Sequence, residues 1–172
     1  MISIISAIGK NNEIGRNNWL LWDLPADMKH FRETTKGKTV IMGQKTFESL
    51  GRSPTGEPIG KPLPNRRNIV ATLDKSFNPS GVEISSDIHK TIKEFKQNSE
   101  EVFVIGGAQI YALTIADADK LYITHVEGSF PDADTFFPKI DPQIWKKIKS
   151  EKHEKDSKNQ YDLEFAEYVR KN

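Results

Sequence analysis

The sequence predicts an α/β fold: a mostly parallel central sheet, helices on both faces, and an antiparallel hairpin at one edge. Three observations lead there. Short, largely apolar runs at residues 2–8, 39–42 and 102–105 read as strands buried on both faces. These runs alternate with helical patterns, as crossover connections between parallel strands require. The last two strand-like segments, 145–149 and 161–170, have no helix between them and therefore pair antiparallel.

The elements follow in order. Residues 2–8 form a β-rich run stopped by Gly9, and a polar loop, 10–18, comes next. Leu24-Pro25-Ala26-Asp27 opens a helix, with proline suited to the first turn and Asp23 as the expected cap. Leu24, Met28 and Phe31 share one face of it. The run 39–42 ends at Gly43, and a short helical stretch, 44–50, follows. Residues 51–64 are rich in proline and glycine and predict an irregular loop. Residues 68–72 form the next strand. Asp87 is placed to cap a helix with Ile88, Ile92 and Phe95 on one stripe. Residues 102–105 run into Gly106-Gly107, a helix covers about 108–113, and 120–125 is a strand. One domain spanning 1–172 accommodates all of this.

Bulk composition excludes several functions. Charged residues make up 28% and hydrophobic ones 36% of 172 residues, and the net charge is +1. That gives no basic field for nucleic acid. Residues 146–172 are dense in lysine and glutamate, but the signs alternate, as in a solvated edge hairpin. The chain has no cysteine, which removes disulfides, thiolate metal sites and a cysteine nucleophile. The four histidines, His30, His89, His125 and His153, lack metal-ligand spacing, so no metal is expected; His30 and His89 read as surface residues. No apolar stretch approaches the roughly 20 residues of a membrane span. The apolar start, 1–8, lacks a basic leader and a small-residue cleavage site, so a cytoplasmic location is expected.

Three features can carry chemistry, and each has a plainer reading. Asp27 is either a first-turn acid favoured by the helix dipole or a lone carboxylate in an apolar cleft. In the second case it can grip an amidine-like edge with two hydrogen bonds, and burial would raise its pKa. Gly106-Gly107 is either a tight turn or a place where backbone approaches a phosphate. It lacks the spacing of the dinucleotide fingerprint. Gly43-Gln44-Lys45-Thr46 is either a helix start or a second phosphate seat.

In order along the chain, these features resemble the dihydrofolate reductases. The motifs are Ile5-Ser6-Ala7-Ile8-Gly9, Trp22-Asp23-Leu24-Pro25-Ala26-Asp27 with Phe31, and the stretch from Val40 through Gly43-Gln44-Lys45-Thr46 to Gly51. Pro62-Leu63-Pro64-Asn65-Arg66-Arg67-Asn68 follows, then Val104-Ile105-Gly106-Gly107-Ala108-Gln109-Ile110-Tyr111. Leu121-Tyr122-Ile123-Thr124-His125 and Asp134-Thr135-Phe136-Phe137-Pro138 complete the series.

The resemblance implies reduction of 7,8-dihydrofolate to tetrahydrofolate, with hydride from NADPH and protonation at N5, in support of one-carbon metabolism and thymidylate synthesis. It implies that Asp27 pairs with the pterin, that Trp22 positions a water near it, and that Thr124 hydrogen-bonds the carboxylate. Ile5, Ala7, Met28, Phe31, Leu50, Leu63 and Ile105 would wall the substrate pocket, and Arg66 would clamp the glutamate tail. Ala7, Ile14, Gly15 and Leu20 would border the nicotinamide. Gly43, Gln44, Lys45, Thr46, Gly106, Gly107, Ala108, Gln109, Ile110 and Tyr111 would hold the rest of the cofactor, with Thr72 and Leu73 beside its 2′-phosphate. The Gly106-Gly107 peptide would be cis, and residues 10–24 would form a lid. Antifolate inhibitors are implied as ligands and a monomer as the working form. The chain departs from the family at Leu21, where proline is usual, and at Gln44 and Gln109, where some members carry arginine. Residues 53–61 look inserted.

Overall fold

The computed structural model describes residues 1–171 of the chain, so the expected domain end at Asn172 lies outside them. In chain order the elements are β1 (Ile2–Ile8), β2 (Glu13–Gly15), α1 (Pro25–Thr35), β3 (Thr39–Gly43), α2 (Gln44–Glu48), β4 (Arg67–Ala71) and β5 (Glu83–Ser85). They continue as α3 (Ile88–Lys96), β6 (Val102–Val104), α4 (Ala108–Thr114), β7 (Lys120–Val126), β8 (Thr135–Phe136), β9 (Trp145–His153) and β10 (Leu163–Arg170). An eight-stranded sheet runs in the order β5-β4-β3-β6-β1-β7-β10-β9. Its pairs are parallel from β5 to β7, and β10 then joins β7 and β9 antiparallel. The fold expectation is met.

Side chains alternate across the sheet, so each strand feeds two cores. Ile2, Ile4, Ile8, Ile41, Val102, Val104, Leu121 and Ile123 pack under α3 and α4. Ile5, Val40, Met42, Val70 and Phe103 point the other way, towards Phe31 of α1. Fully burying one such side chain contributes about 1.5–3 kcal/mol. The central strands are therefore mostly apolar on both faces, with a few small buried polar residues such as Ser3, Thr39 and Thr124 among them.

Several local expectations are corrected. Asp23 does not cap α1: the N-cap is Leu24, and no side chain of the cap residue bonds the helix. A distant residue takes that part, because the Ala26 N–H donates to Asn159 Oδ1 at 3.0 Å. On the face that Met28 and Phe31 share, Phe31 packs partly buried against the core while Met28 stays 37% exposed. The inner face of α1 borders an open groove. The loop 10–18 contains β2, which pairs with β8. Both strands are too short for periodicity to reveal, and so is β5. His30 is not a free surface residue, for its ring packs 4.4 Å from that of Phe165. Asp87 does cap α3, accepting from the Lys90 N–H at 3.0 Å. The hairpin strand β9 runs longer than expected, to His153.

Candidate functional site

The parallel strands point their carboxyl ends to one side, where ligands of open α/β sheets collect. Three chain turns meet there: the exit of β1 at Ile8-Gly9, the Gly43 turn after β3, and Gly106-Gly107 after β6. The last two touch, with the Gly43 N–H donating to the Gly106 carbonyl at 2.8 Å. The Gly106-Gly107 peptide is cis, and Gly106 has φ +120°, a conformation open to glycine but rarely to other residues. A Cβ on Gly107 would stand 3.2 Å from Thr46 Oγ1, and one on Gly43 would stand 3.1 Å from Ile110. The missing side chains leave room along the two glycine turns beside the Thr46 hydroxyl.

Asp27 lies in the first turn of α1, across the groove from β7. Thr124 is buried on β7, and its hydroxyl faces the Asp27 carboxyl. Burial pushes that carboxyl above its ordinary value, and the Thr124 contact opposes the rise without cancelling it. Phe31, Leu50, Leu63 and Ile105 gather round Ile5, and Ala7 packs beside Trp22 and Leu24. Met28 remains 37% exposed and Leu20 59% exposed at the rim. Apolar side chains left open around one carboxylate suit a flat ring with a polar edge.

Trp22 closes one end of the groove. Its indole Nε1 is buried without a hydrogen-bond partner, the one such side-chain atom among the described residues. Tyr111 reaches back from α4, its hydroxyl donating to the Ile5 carbonyl at 2.8 Å. Burial pushes the Tyr111 phenol strongly up and keeps it protonated. Arg66 stands at the other end. Its guanidinium lies 5.8 Å from the centre of the Phe31 ring and donates to Thr35 Oγ1 and the Pro64 carbonyl. These contacts fix the fork before any ligand arrives.

On the far side of Gly43, Gln44 accepts from the Thr72 hydroxyl and donates to Glu48 Oε1 at 2.9 Å. Leu73 is 88% exposed there. Ile14 is buried, while Gly15 sits under the Trp19 carbonyl, where a Cβ would come within 3.0 Å. Lys45, Ala108 and Gln109 follow the two glycine turns as expected. Among the described residues no cluster of potential metal ligands occurs. Open hollows of about 610 and 260 Å³ lie elsewhere, one beside His125 and Trp145, the other between Arg67 and Phe95.

Residue patterns alone miss four participants. Asn18 donates to the Lys45 carbonyl at 2.9 Å and so ties the lid to α2. Asp134 accepts from the Asn17 N–H at 2.8 Å. Asn159 and Glu13 bond across long sequence separations. Asn18 and Asn159 are polar residues in polar loops, Glu13 lies in the short strand β2, and Asp134 stands in a motif that does not reveal its bond to Asn17.

An α/β sheet with a lone carboxylate among apolar side chains, beside two glycine turns at the carboxyl ends of its strands, fits one class: a cofactor-dependent reductase of a small heterocycle. The comparisons narrow it. A family model described as dihydrofolate reductase matches residues 1–170. Dihydrofolate reductase of Bacillus subtilis (strain 168) is 43% identical over 172 residues, covering 100% of this chain and 96% of that one. Dihydrofolate reductase type 3 of Salmonella typhimurium is 38% identical, covering 96% of each. The solved structure of dihydrofolate reductase from Enterococcus faecalis complexed with NADP(H) and RAB-propyl superposes with a TM-score of 0.88. It is 31% identical and covers 100% of this chain and 97% of that one. The chain belongs to the dihydrofolate reductase family.

Proposed function

We propose that Asp27 is the residue through which this chain manages the proton in the reduction of dihydrofolate. As a member of its family the chain reduces 7,8-dihydrofolate to tetrahydrofolate with NADPH. The observation that carries the proposed role is the Asp27 carboxyl, held in an apolar groove against Thr124 and raised above its ordinary value by burial. A carboxylate so placed gains two charge-assisted hydrogen bonds from an amidine-like pterin edge.

The cofactor supplies the hydride; the protein supplies position and electrostatics. In this reading the Thr124 hydroxyl orients the Asp27 carboxylate. The unpartnered Trp22 N–H holds a water that carries the proton to N5. Ile5, Ala7, Met28, Phe31, Leu50, Leu63 and Ile105 sandwich the ring, and Arg66 takes the glutamate tail with its planar fork. Ala7, Ile14, Gly15 and Leu20 exclude water around the nicotinamide. Thr46 and the Gly106, Gly107, Ala108 and Gln109 backbone fit the pyrophosphate, because the missing Cβ atoms leave room for it. Gly43, Lys45, Ile110 and Tyr111 support that backbone, and Gln44, Thr72 and Leu73 border the adenosine end. Antifolates presenting the same edge compete for Asp27.

The chain works as one domain and one copy, with the site built from its own residues. The Lys-rich outer strand β9 discourages edge-to-edge pairing. No helix among the described residues is long and apolar enough to cross a membrane; a cytoplasmic location without a nucleic-acid partner agrees with the mixed charge and absent cysteine. The test of activity is the absorbance lost when NADPH and dihydrofolate are mixed with the protein, with NADH in parallel. Turnover with NADPH is expected, and no turnover with either nucleotide would overturn the reading.

A further inference from the structure

Glu13 is the least expected side chain in the lid. It is 2% exposed, yet it carries a carboxylate. Among the described residues it accepts from the Asn11 N–H at 2.7 Å, the Phe130 N–H at 3.0 Å and the Asn11 side chain at 3.2 Å. Gly9 makes the space: a Cβ there would stand 2.5 Å from Glu13 Oε2 and 2.9 Å from the Phe130 ring. The carboxylate thus ties the root of the lid to the segment following β7. Phe130 passes the constraint on, since its ring packs 5.0 Å from that of Trp22 and 5.4 Å from that of Tyr161.

We infer that Glu13 is a positioning residue for the reduction: by bonding the Phe130 backbone it fixes the aromatic wedge that holds the Trp22 indole at the end of the Asp27 groove. Fixing that wedge demands an acceptor with no hydrogen of its own. A glutamine of the same shape would turn its N–H₂ either towards the Asn11 N–H or towards the Phe130 N–H and the Asn11 side chain, and either way loosen the knot of bonds that holds Phe130. Glu13 touches no substrate and acts only through Phe130 and Trp22. The inference rests on the role proposed above for Trp22, and its first readout is independent of turnover.

The experiment labels the protein with 5-fluorotryptophan and follows the Trp22 fluorine resonance, assigned with Trp22→Phe, in Glu13→Gln, Phe130→Leu and the double variant. The Trp22 resonance is expected to shift or broaden in Glu13→Gln, while those of Trp19 and Trp145 stay in place. Because small displacements of positioning groups are costly, kcat is expected to fall about tenfold with KM for dihydrofolate within about twofold. Phe130→Leu should lose a similar factor, and the double variant no more than either, as for residues acting in series. An unmoved Trp22 resonance, losses that multiply, or a lowered Tm with unchanged kcat would overturn the inference. Should Glu13→Gln fail to fold, Asn11→Ala removes one donor only and must move the same resonance in the same direction. A moved resonance in a protein without turnover would count against the Trp22 role and leave the Glu13–Phe130–Trp22 link standing.

Discussion

At the scale of single residues, two side chains pull function and stability apart. Asp27 is raised above its ordinary 3.8 by burial. The folded chain therefore holds that proton more tightly than the unfolded one. Its contribution to stability is full below the ordinary value and declines as pH rises through the folded value. Ionised Asp27 thus weakens the ligand-free fold at neutral pH. Asp27→Asn should raise the thermal midpoint at pH 7 while removing activity, and a lower midpoint would mean the carboxylate is stabilised there by partners not accounted for. Arg66 makes a different prediction. A lysine keeps the charge but loses the fork that bonds Thr35 and Pro64 and, in the proposed reading, the glutamate tail. Arg66→Lys should raise KM for dihydrofolate about tenfold with kcat nearly unchanged, the mark of lost uniform binding. Steady-state kinetics with full-length dihydrofolate and a pterin lacking the glutamate tail check it, since the tailless compound should not notice the change.

At the scale of elements, the helix that carries Asp27 depends on a distant part of the chain. Asn159 in the β9–β10 turn accepts from the Ala26 N–H and donates to Asp156. Asn159→Ala should lower stability by about 1 kcal/mol, the usual loss for a helix cap, as read by urea unfolding. An unchanged midpoint would show that another group caps α1. This link also marks where sequence reading stops. Asp87 was legible as a cap because it precedes the helix it serves. Asn159 was not, because its partner lies across the fold. The strands β1, β3 and β6 were legible because burial on both faces leaves them mostly apolar. The strands β2, β5 and β8 have two or three residues each, too few to show a period. Asp27, Thr124, Trp22 and Arg66 stood out through motifs that resemble a family. Glu13 belonged to no motif, and its burial depends on Gly9 and Phe130 arriving from other segments.

At the scale of the whole molecule, charge sets an acid limit. Burial alone would push Glu13 up, but the Phe130 and Asn11 N–H groups outweigh it and hold the carboxyl below 4.5. The Lys158 N–H and the Asn159 side chain hold Asp156 down to about 2. Such groups add stability above their unfolded values and lose it as pH falls through the folded ones. Unfolding free energy should therefore drop from about pH 4.5 towards pH 2, and chemical denaturation across that range checks it; a flat profile would contradict these assignments. Asp27 is the acid in the first turn of α1, and the proposed handling of the proton depends on it. The most direct test is the rate of NADPH-dependent reduction by Asp27→Asn across pH. At neutral pH the rate should fall on the order of 10²–10⁴-fold, as when a proton-managing group is removed, with partial recovery in acid where solvent supplies the proton. Near-normal activity of that variant at neutral pH would contradict the central role of Asp27.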